Sequence, residues 1–208
     1  MHAVYNKNEI SSQIIHHSRK LFEKGGIRSF SYKDLSKLVG IKTSSIHYYF
    51  PSKQDLALAL VQDYREELVK QWQDTENSGK DFKSKIYSYL EIYAANYNLT
   101  NNVFFGTMLV SSYDNLNKEV QEEVTKLFQD HIGFLARLLR KCREHKLMLF
   151  EEESEVLAKS LLSLIEGAAI VSKACGDESA MQTVNIFLDK YFESRGKGFI
   201  SKYLSITR

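Results

Sequence analysis

Proline occurs once in these 208 residues, at Pro51, and glycine only ten times. Folds built from strands and tight turns need more of both, because proline presets turn geometry and glycine alone takes positive φ cheaply. The composition therefore points to an all-α chain. Cysteine is scarcer still. Cys142 and Cys175 stand far apart and form neither a disulfide framework nor a zinc-ligand spacing. No apolar run reaches the length of a membrane-spanning helix. The opening residues MHAVYNKNEISS lack the apolar core of a signal peptide, so the expected location is cytoplasmic. Enzyme motifs are missing as well: there is no G-x-S-x-G, no H-E-x-x-H and no P-loop, and Gly196-Lys197-Gly198 is only a fragment of a dinucleotide-binding loop. The expectation is a protein that is not an enzyme and needs no metal or cofactor.

Charge is the first positive signal. The net charge is only +2, but residues 1–53 hold nine Lys/Arg against three Asp/Glu, and residues 54–208 hold 19 against 23. A basic N-terminal quarter on a mildly acidic body suggests that the first part meets a polyanion.

The pattern of residues 8–53 supports this. Ile10, Ile14, Ile15, Ser18, Leu21 and Phe22 recur at helical steps, and Gly25-Gly26 ends that helix. Ile27 and Phe30 are expected to pack beneath the next two helices. Ser31 with Asp34 three residues on resembles a capping box. In the helix that follows, Leu35, Leu38 and Val39 are expected to face inward, with Lys33 and Lys37 outward. Gly40 makes a turn, and a third helix runs from about Thr43 to Tyr49, anchored by Ile46 and Phe50. This reads as a helix-turn-helix whose second helix enters the DNA major groove. Ser44, Ser45, His47 and Tyr48 are left to face bases and phosphates without a repelling charge, bracketed by Lys42 and Lys53. Ser52 and Asp55 repeat the capping-box signature at the start of a long fourth helix.

Ile14, Leu21, Phe22 and Gly25-Gly26, then Tyr32-Lys33-Asp34-Leu35, Val39-Gly40-Ile41 and the run from Ser44 to Lys53 followed by Leu56 resemble the TetR/AcrR family of bacterial one-component transcriptional repressors. The resemblance spans residues 10–60. It implies an all-helical architecture: a three-helix DNA-binding domain at 1–53, and a helical ligand-binding and dimerisation domain at 54–208. It implies a homodimer on a pseudo-palindromic operator of double-stranded DNA, released by a small-molecule effector. It also implies phosphate contacts from Thr43, Ser45, His47, Tyr48 and Lys53, with Lys33 reaching DNA from the second helix. Two positions depart from the family pattern. His47 stands where tyrosine is common, which brings pH into that contact. Lys42 stands where a small capping residue is common, so Thr43 is the expected cap.

The remaining chain reads as further helices, at about 81–99, 102–113, 118–145, 154–174 and 178–195, with a turn at 114–117. Residues 1–7 and the tail from Gly196 on read as loosely held ends. The last two helices are apolar over much of their circumference, which suggests a subunit interface. Leu164 and Ala168 on one and Val184, Phe187, Leu188 and Tyr191 on the other are its expected residues. Aromatic residues mark the expected effector pocket, implying a partly apolar or aromatic ligand. They are Tyr89, Tyr93, Phe104 and Phe105, with Met108, Phe128 and His131. His131 is a polar residue on an apolar face and needs a partner, either a neighbouring tyrosine or the ligand. Cys142, between Lys141 and Arg143, allows an alternative in which thiol modification or a partner protein controls the DNA-binding unit.

Overall fold

The computed structural model describes residues 9–100, 104–176 and 179–193. The expectations for 1–7 and for the tail from Gly196 on lie outside them. Described residues form helices and no strands: α1 Glu9–Gly25, α2 Tyr32–Val39, α3 Thr43–Tyr49, α4 Lys53–Asn77, α5 Phe82–Thr100, α6 Phe105–Ser111, α7 Lys118–Glu144, α8 Ser154–Cys175 and α9 Ser179–Glu193. A 3-10 turn, Tyr113–Asn115, precedes α7. Each helix lies where the spacing of apolar residues places one. No described helix is long and apolar enough to cross a membrane.

Compactness divides the chain elsewhere than at residue 53. Among the described residues, one unit comprises those of 9–69 and 105–128, the other those of 70–100, 104, 129–176 and 179–193. The first unit gathers α6 with α1, α2 and α3, and α1 contacts both α2 and α6. The reason lies in Phe105, whose ring meets Phe22 of α1 (5.1 Å) and Tyr64 of α4 (5.2 Å). Arg19 secures the same region from the side. Its guanidinium bonds Glu67 at 2.6 Å and lies 4.6 Å from the centre of the Tyr64 ring. Ile14, Phe22, Leu35, Ile46, Phe50, Leu56 and Leu60 form the buried core of this unit. Glu123 is buried too and is held by Arg65 at 2.9 Å and Lys126 at 3.2 Å, as a carboxylate out of water requires.

In the second unit α8 and α9 pack on each other. Leu157, Leu161 and Ile165 of α8 are buried, as are Val184, Leu188 and Tyr191 of α9. Tyr87 of α5 stacks on Phe192 at 5.8 Å and gives its hydroxyl to Asp189.

Candidate DNA interface and buried polar cluster

The two-helix element is held by local chemistry. The Ser31 hydroxyl accepts from the Asp34 N–H (3.2 Å), and the Asp34 carboxylate accepts from the Ser31 N–H (2.9 Å), closing the capping box. The Ser31 hydroxyl also donates to the Asp34 carboxylate (2.6 Å), and that bond first, with the one from the Ser31 N–H, holds the Asp34 carboxyl below its ordinary pKa. Gly40 ends α2 at φ 75°, where its N–H reaches Ser36 O, a conformation that opposes any Cβ. The second capping box forms as well, Ser52 N–H to Asp55 at 2.8 Å and Asp55 N–H to Ser52 at 3.2 Å.

Two local expectations are corrected. Leu38 is 52% exposed. Successive residues turn by about 100° round a helix, so Tyr32, Leu35 and Val39 share one stripe and Leu38 falls beyond its edge. Thr43 is the first helical residue, not the cap. Lys42 takes the extended cap conformation without a side-chain bond, and the Thr43 hydroxyl lies 3.3 Å from that of Ser36.

Only Ile46 of α3 is buried. Lys33, Lys42, Ser44, His47 and Tyr48 are exposed, and Thr43, Ser45 and Lys53 are half-buried. Tyr48 is 81% exposed, the largest apolar surface left uncovered in this unit's helix-turn-helix. With Tyr49, Ser44, Ser45, Ile41 and Ile10 it lines an open cleft of about 330 Å³. His47 Nδ1 lies 3.2 Å from Pro51 O. A carbonyl only accepts, so Nδ1 is the donor in this contact. Lys53 is already engaged: its ammonium donates to Ile27 O (3.0 Å) and Phe30 O, and lies 5.1 Å from the Phe30 ring centre.

The expected pocket residues divide between the two units. Phe105, Met108 and Phe128 belong to the first, where Phe105 is core against Phe22 and Tyr64. Tyr89, Tyr93, Phe104 and His131 come together in the second. The Tyr93 hydroxyl lies 2.6 Å from His131 Nε2, and the Tyr89 hydroxyl meets the same atom. The neighbouring-tyrosine alternative for His131 is thus met twice over. Burial pushes the His131 pKa down to about 3, so the imidazole is neutral. Trp72 joins the cluster, its ring 5.0 Å from His131 and 5.4 Å from Phe134. Its buried indole nitrogen has no hydrogen-bond partner among the described residues. Trp72 was not among the expected pocket residues. Its being the single tryptophan, one helical turn after Leu68, was the available signal.

The expected interface residues also divide. Ala168, Val184, Leu188 and Tyr191 are buried within one chain, while Leu164 and Phe187 are half-buried. The apolar side chains that α8 and α9 turn outward are Val156, Ile170, Val171 and Ile186. Cys142 is fully buried, and desolvation pushes its thiol up to about 12. A thiol so placed is not a reactive thiolate.

Residues 14–60 match the family described as bacterial regulatory proteins, tetR family. The chain is similar in structure to a transcriptional regulator of the TetR family from Agrobacterium tumefaciens, with 26% identity over 88% of this chain and 97% of that one and a TM-score of 0.83. A TetR transcriptional regulator from Legionella pneumophila is 29% identical over 90% of this chain and all of its own, with a TM-score of 0.82. A putative transcriptional regulator from Saccharomonospora viridis, solved in complex with choline, shares the fold at 18% identity, 91% and 100% coverage and a TM-score of 0.80. No curated protein matched the chain.

Proposed function

We propose, from the match of residues 14–60 to the tetR family and the likeness to TetR transcriptional regulators, that the chain is a repressor of that family, which binds a pseudo-palindromic operator as a homodimer and leaves it when a small-molecule effector binds. The observation that carries this reading is α3: one buried anchor, Ile46, beneath exposed hydroxyl, imidazole and phenol groups, with the exposed Lys42 ammonium at its N-cap. Tyr48, His47, Ser45, Thr43, Lys33 and Lys53 contact phosphates, and Ser44 and Lys42 read base edges. Two such helices enter successive major grooves, about 34–36 Å apart or somewhat more. The outward Ile170, Val171 and Ile186 supply apolar surface for a two-fold interface. The effector occupies the Tyr89–Tyr93–His131 region and acts by binding the DNA-incompetent state more tightly. Control through Cys142 loses its support, because that thiol is buried and protonated.

The test is binding of the purified protein to its own upstream DNA across a salt series, with a scrambled duplex as control. The expected result is tight, salt-sensitive binding of two subunits to the native duplex alone. Equal binding to both duplexes would overturn the regulator reading and leave a basic helical protein.

A further inference from the structure

Gln54 follows Lys53 in the first turn of α4, and both ends of its side-chain amide are engaged by distant main chain. Its Nε2 donates to Asn115 O at 2.9 Å, and its Oε1 accepts from the Asn117 N–H at 3.0 Å. A primary amide sets a donor and an acceptor side by side, so the paired contact asks for glutamine at this reach. The turn that receives it is itself fixed. Gln121 Nε2 donates to Tyr113 O (3.0 Å) and Leu116 O (3.1 Å), and Asn117 Oδ1 accepts from the Val120 N–H (3.0 Å). The turn between α6 and α7 is thereby tied to the start of α7 and, through Gln54, to the start of α4. It also lies against the turn after α1, where a Cβ added to Gly26 would stand 2.6 Å from Ser112 Oγ.

These contacts all lie within the first unit, and they bear on how its reading helices are held. A helix-turn-helix joined onward by one helix can swivel about that helix, and a second attachment beside it stops the swivel. Phe105 packs on Phe22 and keeps α1 near α6, but apolar contact is non-directional and tolerates sliding. Hydrogen bonds weaken steeply when bent out of line. The apolar packing therefore supplies adhesion, and the Gln54 pair supplies the angle.

Resting on the operator reading above, we propose that Gln54 is a positioning residue for DNA recognition. By clamping the start of α4 to the α6–α7 turn, it fixes the angle of the reading helices in each protomer, and with it the half-site spacing that a homodimer accepts. It acts through α3 and contacts neither base nor phosphate itself. Two heads held stiffly fit one separation of half-sites. Two heads that swivel fit several, and they bind the best one less tightly because their alignment must then be ordered on binding.

Gln54→Met keeps the length of the stem and removes both hydrogen bonds, whereas Gln54→Ala removes the stem too. Both leave the Phe105 packing and the Ser52–Asp55 cap in place, so both should fold, which circular dichroism checks. Footprinting of the full-length protein on its own upstream DNA locates the half-sites. One base pair inserted between them moves them apart by about 3.4 Å and turns them by about 35°. The wild type should bind the inserted duplex at least about thirtyfold more weakly than the native one. In Gln54→Met that ratio should fall to about threefold, and affinity for the native duplex should fall about tenfold at an unchanged salt slope. The Asn117 amide should exchange with solvent about tenfold faster in both variants, its acceptor being gone. A merely structural role would weaken binding and leave the spacing ratio where it was, and that result would overturn the proposal. Relaxed spacing in Gln54→Ala but not in Gln54→Met would assign the effect to packing of the stem, and an unmoved Asn117 exchange rate would show that the clamp does not form in solution. A wild type indifferent to the insertion would overturn the proposal without any variant and leave operator binding standing. Equal affinity of the wild type for native and scrambled duplexes would remove the operator reading, and this proposal with it.

Discussion

On the proposed phosphate contact, Lys53→Ala perturbs two roles of one ammonium group, and the two can be measured apart. Without DNA, the ammonium donates to Ile27 O and Phe30 O and rests over the Phe30 ring. These contacts tie the start of α4 to the loop between α1 and α2. A hydrogen bond to a charged group contributes about 1.5–3 kcal/mol when shielded from water. Lys53 is half-buried, so solvent screening reduces the two bonds and the ring contact together to about 2 kcal/mol. In a cooperative unfolding transition of a chain this long, that is a fall in Tm of about 4–8 °C. The ammonium has three protons and the carbonyls take two, which leaves one for a phosphate. Each phosphate contact contributes about 0.9 to the slope of log K against log salt. A dimer loses two contacts, so the slope should flatten by about 1.8. Calorimetric melting and fluorescence anisotropy over a potassium chloride series read the two effects separately. A Tm unchanged within a degree would refute the loop-holding role, and a slope unchanged within error would refute the phosphate contact. Lys53→Met, which keeps the stem over Phe30, should recover part of the Tm and none of the slope.

Gly40→Ala should destabilise the chain by about 1 kcal/mol through backbone strain alone, since nothing lies within 4 Å of the added Cβ. A shift in urea midpoint equivalent to more than about 3 kcal/mol would point to a steric contact instead. The capping box makes an acid-side contribution: Asp34 titrates below its ordinary 3.8, so its stabilisation is present above that pH and is lost as pH falls through the depressed value. Ser31→Ala should return the Asp34 pKa toward 3.8 in a carboxyl-carbon NMR titration, because the Ser31 bonds are the largest causes of the shift; an unmoved value would mean the cap is not formed in solution. Of the two thiols, Cys175 is exposed and Cys142 buried. A disulfide-exchange reagent should therefore label one thiol quickly in the native protein and both in denaturant, and rapid labelling of two would show that the core around Cys142 opens.

The DNA-binding quarter was legible because its signals are local. A serine three residues before an acid, a glycine at a forced left-handed position and a serine after the lone proline each determine a backbone conformation within a few residues. The structure places each where that chemistry requires. Leu38 departs from its expected inward position because it stands about 100° round the helix from Val39, beyond the edge of the buried stripe. The body was harder for a different reason. An apolar stripe says that a face is buried and is silent about its partner. Phe105 and Tyr93 read alike in sequence, yet one packs on Phe22 and the other reaches His131. Val184, Leu188 and Tyr191 form a stripe at steps of four and three, and the residues alone did not reveal that this face turns to its own chain while Ile186 faces out.

The sparse anchoring of α3 bears on how such a protein changes over generations. Because Ile46 alone of the seven residues is buried, most positions in that helix can vary without touching the fold. A duplicated copy of the gene could therefore acquire a new binding sequence by drifting at positions 42 and 44, and a new affinity at 47 and 48, one substitution at a time, through intermediates that all still fold. A library randomised at those four positions should yield mostly soluble, native-like variants, whereas one randomised at Leu35, Ile46 and Phe50 should yield few.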